Sequence, residues 1–415
     1  MDPSKTLLNP TYSDPNVRFS EKILIKAFGK IQGGRLNLIL PSGQCFLTGN
    51  AVGKHNREQA DLRIVDPAVP RRLLLGGGMA LAETYMEGGW ETDDLSAVLR
   101  ILARSRREMG RIARGASRML HAMDHAAHLL RQNTLDIAKE NIQAHYDLSN
   151  DLYALFLDPT LTYSAGIFTS EQEPLETAQL RKMDRLIDQM NPKPGDHVLE
   201  VGSGWGACAI RLAQTRGCQV TSLTLSEEQA LEARRRVDAA GVGHLVEIRL
   251  QDYRETAGIF DHIISVEMIE AVGHEFLPVY FQTLQGRLRP GGRMVLQAIT
   301  IPDNRYREYN KTSDFIRKHV FPGGHLPCPG LLDDLVHQHT NWQTADMFEF
   351  GRDYAETLRR WRDAFLARIQ DVKALGFDEA FLRKWHYYFA YCEAGFDTDL
   401  IHVRQYCFQK PAHSA

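Results

Sequence analysis

From about residue 145 onward, short apolar runs alternate with stretches of helical spacing. The runs read as strands: HVLEV (197–201), QVTSLTL (219–225), LVEIRL (245–250), HIISV (262–266), RMVLQAI (293–299), a weaker TADMFEF (344–350) and HVRQYCF (402–408). Helix-like segments lie between the first five. Such alternation predicts an α/β fold, a doubly wound parallel sheet of Rossmann-like type. Residues 20–100 differ. Short strand-like runs (RLNLILPSG, CFLTG) precede a glycine-rich break at Gly76–Gly78, a helical stretch and a turn at Gly88-Gly89-Trp90. This pattern predicts a small N-terminal α+β domain over 1–103.

Between them, 104–144 reads as a basic helical linker. Seven arginines from Arg104 to Arg131 face two acids, Glu108 and Asp124, and apolar residues recur near helical spacing. A basic amphipathic helix suits an anionic membrane surface; the plainer alternative is a solvated helix between domains.

Composition narrows the function classes. A net charge of −3 gives no global field for nucleic acid. The start, MDPSKTLLNP, lacks a basic and an apolar export region, and no apolar run is long enough to span a bilayer. The expectation is a cytoplasmic protein, peripherally membrane-associated. Six scattered cysteines without C-x-x-C spacing suggest neither a zinc site nor a disulfide framework, and no metal ligands are assigned.

The chemistry centres on VLEVGSGWGA (198–207), a buried strand ending on Gly202, Gly204 and Gly206. Glycines at a strand-to-helix turn expose bare backbone to a ligand. Gly202-x-Gly204-x-x-Ala207 also fits a dinucleotide fingerprint. Glu200, two residues earlier, would repel a pyrophosphate and suits the cationic end of S-adenosylmethionine (SAM). LTLS ends the second strand, and Ser226 with Gln229 reads as a capping box. Asp252-Tyr253 offers a hydrogen bond and a ring for an adenine.

Together these stretches resemble the cyclopropane-fatty-acyl-phospholipid synthases and their mycolic-acid relatives. The matching runs are HYDLSNDLYALFLDPTLTYS (145–164), VLEVGSGWGA, LTLSEEQ (223–229), LQDYRE (250–255), ISVEMIEAVGH (264–274), FPGGHLP (321–327), DYAETLRRW (353–361), AYCEAGF (390–396) and VRQYCFQK. The resemblance implies a class I SAM-methyltransferase domain over 145–415, with a helical lipid-pocket insertion at about 302–343. It implies that SAM is held by Tyr163, Ser164, Gly202, Gly204, Leu223, Thr224, Gln229, Asp252 and Tyr253, with Trp205 as the loop tryptophan. Glu200 and Gly206 complete the cofactor set read from this chain. The implied partner is an unsaturated phospholipid acyl chain, and family members are often homodimers.

An alkene attacks a sulfonium methyl without prior deprotonation, and the resulting carbocation must be shielded from water. Aromatic faces can stabilise it; Phe315, Phe321, Tyr354, Trp385 and the run Tyr387–Tyr391 are candidates, though ordinary helix packing accounts for most of them. Proton loss from the added methyl closes a cyclopropane, while the alternative proton losses give a methylene or a methyl-branched alkene. In the family the base is a bicarbonate held by Cys, Glu, His and Tyr. Glu270 and Tyr354 match; Ala165 and Gln297 stand at the Cys and His positions. Bicarbonate binding is therefore in question. Glu267 stands where the family usually has glycine, and it shares a face with Glu270 if that turn is helical. Two adjacent carboxylates do not both ionise cheaply, so one would have a raised pKa, and Glu267, or the pair, is expected to take over part of the bicarbonate's role; the plainer alternative is a solvent-facing or cofactor-edge acid. Glu270, Tyr354, Glu267 and Gln297 form the candidate catalytic set. The family pattern makes cyclopropanation the leading outcome, with the branched product as alternative.

The basic segment yields one expectation of its own. Co-sedimentation should favour anionic over neutral vesicles and weaken with salt; binding indifferent to both would remove the membrane assignment.

Overall fold

The computed structural model describes residues 17–49, 58–106 and 149–412. Most of the basic segment, 107–131, lies outside the described residues, so neither its helix nor its membrane contact is tested. The chain forms two compact units.

One unit joins the N-terminal residues with Thr312–Phe315 and Lys373–Leu400. A sheet ordered β2-β1-β3-β4 comprises Arg35–Ile39 (β1), Cys45–Thr48 (β2), Gln59–Ile64 (β3) and Trp90–Glu91 (β4). Its strands alternate buried and exposed positions, as a sheet with one covered face requires. Gly76–Gly78 mark a break, as expected: the span Val69–Met86 is two helices meeting at a kink at Gly77, where φ is +54° and ψ −131°; only glycine reaches that backbone without strain. The helix Glu379–Asp397, assigned from sequence to the 145–415 domain, belongs to this unit. It packs on Val69–Met86 and Leu95–Arg104, with Glu393 accepting from Ser96 at 2.8 Å. Trp385, Tyr387, Tyr388 and Phe389 are buried in this unit, so packing explains them.

The other unit carries a seven-stranded sheet ordered β10-β11-β9-β8-β5-β6-β7. Its members are His197–Val201 (β5), Gln219–Thr224 (β6), Val246–Leu250 (β7), Phe260–Val266 (β8), Leu288–Thr300 (β9), Gln343–Glu349 (β10) and His402–Gln409 (β11). Pairing is parallel from β7 to β9, and β11 runs antiparallel to both neighbours. All seven strands fall where the apolar runs predicted them. The chain winds outward from β5 through β6 to β7, then returns to β8 and β9 on the other side of β5. Ligands in such sheets bind at this reversal, beyond the carboxyl ends of the strands.

The loop after β5 is built for that position. Gly202 and Ser203 donate to the Leu223 carbonyl of β6 at 3.0 and 2.8 Å, and Gly202, Gly204 and Gly206 have φ of +100°, +48° and +87°. Gly206 caps the helix Ala207–Arg216, and a Cβ there would come within 3.3 Å of Ala233. Gly206→Ala should cost about 1–2 kcal/mol of stability through its left-handed backbone, measured by chemical denaturation.

No helix among the described residues is long and apolar enough to cross a membrane.

Candidate active site

A cavity opens over the carboxyl ends of β5, β6 and β8. Of the expected cofactor residues, Tyr163, Ser164, Glu200, Gly202, Gly204, Trp205, Leu223, Thr224, Gln229, Asp252 and Tyr253 all line it; Gly206 does not. Gly206 instead lets two helices approach closely.

Local bonding revises three expectations. Ser226 accepts from the Gln229 backbone at 3.2 Å, but the Gln229 side chain accepts from Thr224 at 2.9 Å rather than completing a capping box. Both oxygens of Asp252 are engaged by the Arg254 guanidinium, at 2.8 and 2.7 Å. Trp205 is buried, donates to Asn150 at 2.7 Å and lies 4.9 Å from the Tyr153 ring, so it shapes the wall. Tyr163 stacks on Trp361 at 5.1 Å.

The cavity fits a nucleoside with a cationic end. A Cβ at Gly204 would meet no protein atom within 4 Å and would stand in open space. Glu200 is 3% exposed, accepts from Ser222, and burial raises its carboxyl to about 7. A positive ligand group beside it would supply the countercharge that burial removes.

At the floor of the cavity is Glu267, just past β8. Its backbone has φ of +49°, so the predicted helical face shared with Glu270 does not form; only 269–271 make a short 3-10 turn. Left-handed backbone costs a residue bearing a Cβ about 1–2 kcal/mol. The Glu267 carboxylate accepts from the Ala165 N–H at 3.0 Å, Gln297 Nε2 at 2.7 Å and the Tyr354 hydroxyl at 2.7 Å. Burial raises its pKa; Lys182 and these three donors oppose the rise. Glu270 is poorer in partners. One oxygen accepts from the Ile299 N–H, and Oε2 is buried without a hydrogen bond. Burial, then the charge of Glu267, raises Glu270 to about 8. The environments differ: three donors and Lys182 oppose the rise at Glu267, whereas Glu270, with one backbone donor, is raised to about 8.

Lys182, not singled out from the sequence, is 1% exposed, donates to Ser164 Oγ at 2.5 Å and is lowered by burial. Its signal was present: Gln179 and Lys182 interrupt the apolar face Ala178, Met183, Leu186, Ile187, Met190. The segment 302–343, expected to line a lipid pocket, contributes no residue to this cavity. It meets the site at His325, which donates to the Glu270 carbonyl at 2.8 Å.

The model of mycolic acid cyclopropane synthetases matches residues 133–406. The chain belongs to that family. The cyclopropane synthetases are SAM-dependent methyltransferases, and SAM is the cofactor of this chain. A tuberculostearic acid methyltransferase of Mycobacterium tuberculosis is 43% identical over 88% of this chain and 87% of its own length. The cyclopropane-fatty-acyl-phospholipid synthase of Escherichia coli is 32% identical over 85% of this chain and 88% of its own. The mycolic acid cyclopropane synthase CmaA1, complexed with SAH and CTAB, superposes with a TM-score of 0.62 at 30% identity, covering 66% of this chain and 98% of its own.

For Glu200, lining the cavity with a raised carboxyl, the expectation is a pH-dependent affinity for a cationic ligand. A cationic ligand favours the ionised carboxylate, so SAM affinity should rise with pH up to about 7 and level off above it. Calorimetry across that range checks this, and Glu200→Gln should flatten the curve.

Proposed function

We propose that this chain transfers a methyl group from SAM to the double bond of an unsaturated acyl chain in membrane phospholipid, and that Glu267 removes the proton that ends the reaction. The product is an unsaturated branched chain, a methyl-branched alkene or, if a 1,2-hydride shift precedes proton loss from the methyl, a methylene-branched chain, rather than the ring that the sequence alone favours. The observation carrying this reading is the set of three donors on Glu267, from Ala165, Gln297 and Tyr354. Those are three of the four positions that, by family resemblance, would hold a bicarbonate. With Ala165 and Gln297 replacing two holders, and a protein carboxylate taking the three donors, bicarbonate does not fit.

When bound, SAM supplies an electrophilic methyl. The alkene needs no base to attack it, so the chain's own contribution falls at the second stage. Glu267, ionised and anchored, accepts the proton; Glu270, protonated up to about pH 8, adds no second negative charge. The relative at 43% identity being named a methyltransferase, against 32% for the named cyclopropane synthase, supports the branched outcome.

Glu267→Gln should retain SAH binding and lose about 10²–10⁴-fold in turnover, the usual weight of a positioned base; undiminished turnover would remove the assignment. Fatty acid methyl esters from an expressing host should carry the extra carbon in a chain that mild hydrogenation reduces. A product resistant to hydrogenation would return the reading to cyclopropanation.

A further inference from the structure

The hydrogen bonds of Glu267 continue inward. Gln297 on β9 is fully buried, and its oxygen accepts from Gln405 Nε2 at 2.9 Å. Gln405 is its cross-strand partner on β11, 1% exposed. The Gln405 oxygen accepts from Arg185 at 2.9 Å, and its amide also reaches the Lys182 carbonyl at 3.3 Å. Arg185, on the helix Leu175–Met190, is held by Asp346 at 2.6 Å and lies 4.3 Å over the Phe348 ring.

A glutamine amide has one donating and one accepting end of nearly equal shape, so its direction is set by its partners. A guanidinium only donates, which fixes the oxygen of Gln405 toward Arg185. A backbone carbonyl only accepts, which fixes the nitrogen toward Lys182. Both conditions aim the Gln405 amide N–H at Gln297. The Gln297 oxygen meets it, and its NH₂ is left to face Glu267. The Ala165 backbone N–H points at the same oxygen, Oε1. Oε1 is therefore met by two groups that cannot accept a hydrogen bond. A proton arriving at the carboxylate has Oε2, whose partner, the Tyr354 hydroxyl, can either donate or accept.

We propose that Gln405, oriented by Arg185, is a positioning residue: it sets the Gln297 amide so that Glu267 takes up its proton at Oε2 alone, against Tyr354. This rests on Glu267 being the base. The charged and titratable groups facing Glu267 among the described residues are Lys182 from the helix Leu175–Met190, Glu270 from the following turn, and Tyr354 from the helix Gly351–Ala367.

The test is the pH profile of kcat. In Gln405→Glu an accepting group replaces a donor, so Gln297 turns its NH₂ away and presents oxygen to Glu267. Loss of a donor and gain of repulsion both favour protonated Glu267, and the acid limb should move up by about one pH unit or more, tenfold in rate per unit below the limb. Turnover should recover at higher pH, with KM and SAH affinity unchanged. Arg185→Met, at a side chain one quarter exposed, should shift the limb the same way by less, and covers the case in which the buried carboxylate prevents folding. A limb unmoved in the folded variants, or a kcat lowered equally at every pH, would overturn the proposal. Glu267→Gln separates the two claims. If it keeps full turnover, the base assignment falls. If it is inactive while the limbs stay in place, the positioning role alone falls.

Discussion

At Glu267 the chain leaves β8 in left-handed backbone and aims a carboxylate at three donors from three separate parts of the fold. The backbone conformation is one that glycine adopts freely and glutamate does not. The strain is held because the Ala165 N–H, the Gln297 amide and the Tyr354 hydroxyl each gain a charge-assisted bond, and such bonds contribute roughly twice as much as neutral ones. A strained residue kept in place by its surroundings is a recurrent mark of a functional site. In the proposed reaction it brings a base to the acyl chain without an external anion.

The sheet's strand order makes this arrangement possible. Reversal of winding at β5 opens a cavity where β5, β6 and β8 end together. One side of it is glycine backbone and a buried Glu200, complementary to a cationic cofactor. The other is Glu267 and Glu270, with Lys182 buried between the two sides and opposing the rise of both Glu200 and Glu267. Low polarity strengthens each of these interactions. Burial raises both carboxyls, and the donors on Glu267 oppose a rise that Glu270 undergoes almost unopposed.

The five parallel strands β5–β9 were legible because strands in such a sheet are apolar runs, whereas β10, antiparallel and mostly exposed, gave only a weaker one. The residues expected at the cofactor line one cavity, Gly206 excepted, because a glycine-rich turn and the acid before it follow the same strand. What stayed hidden depended on which partner each side chain takes and on local backbone geometry. The capping box at Ser226 was half formed because Thr224 competes for Gln229. Asp252 looked free for a ligand until Arg254, two residues on, took both its oxygens. Helical spacing suggested that Glu267 and Glu270 share a face, but the positive φ at Glu267 brings them together by a different route. The aromatic run around Trp385, for which helix packing is the preferred reading, is buried. Lys182 and Gln405 carried a signal that spacing alone exposes, a polar residue on an otherwise buried stripe.

Substitution of a protein carboxylate for an external base is the central claim, and it is most directly read from the bicarbonate dependence of turnover. Purified protein, assayed with SAM and unsaturated phospholipid vesicles in buffer stripped of carbon dioxide, should turn over as fast as in buffer with added bicarbonate. Glu267→Gly, which leaves the donors of Ala165, Gln297 and Tyr354 without their carboxylate, should lose turnover in stripped buffer and regain part of it with bicarbonate. Loss of turnover by the unaltered protein on stripping, restored by bicarbonate, would contradict the account.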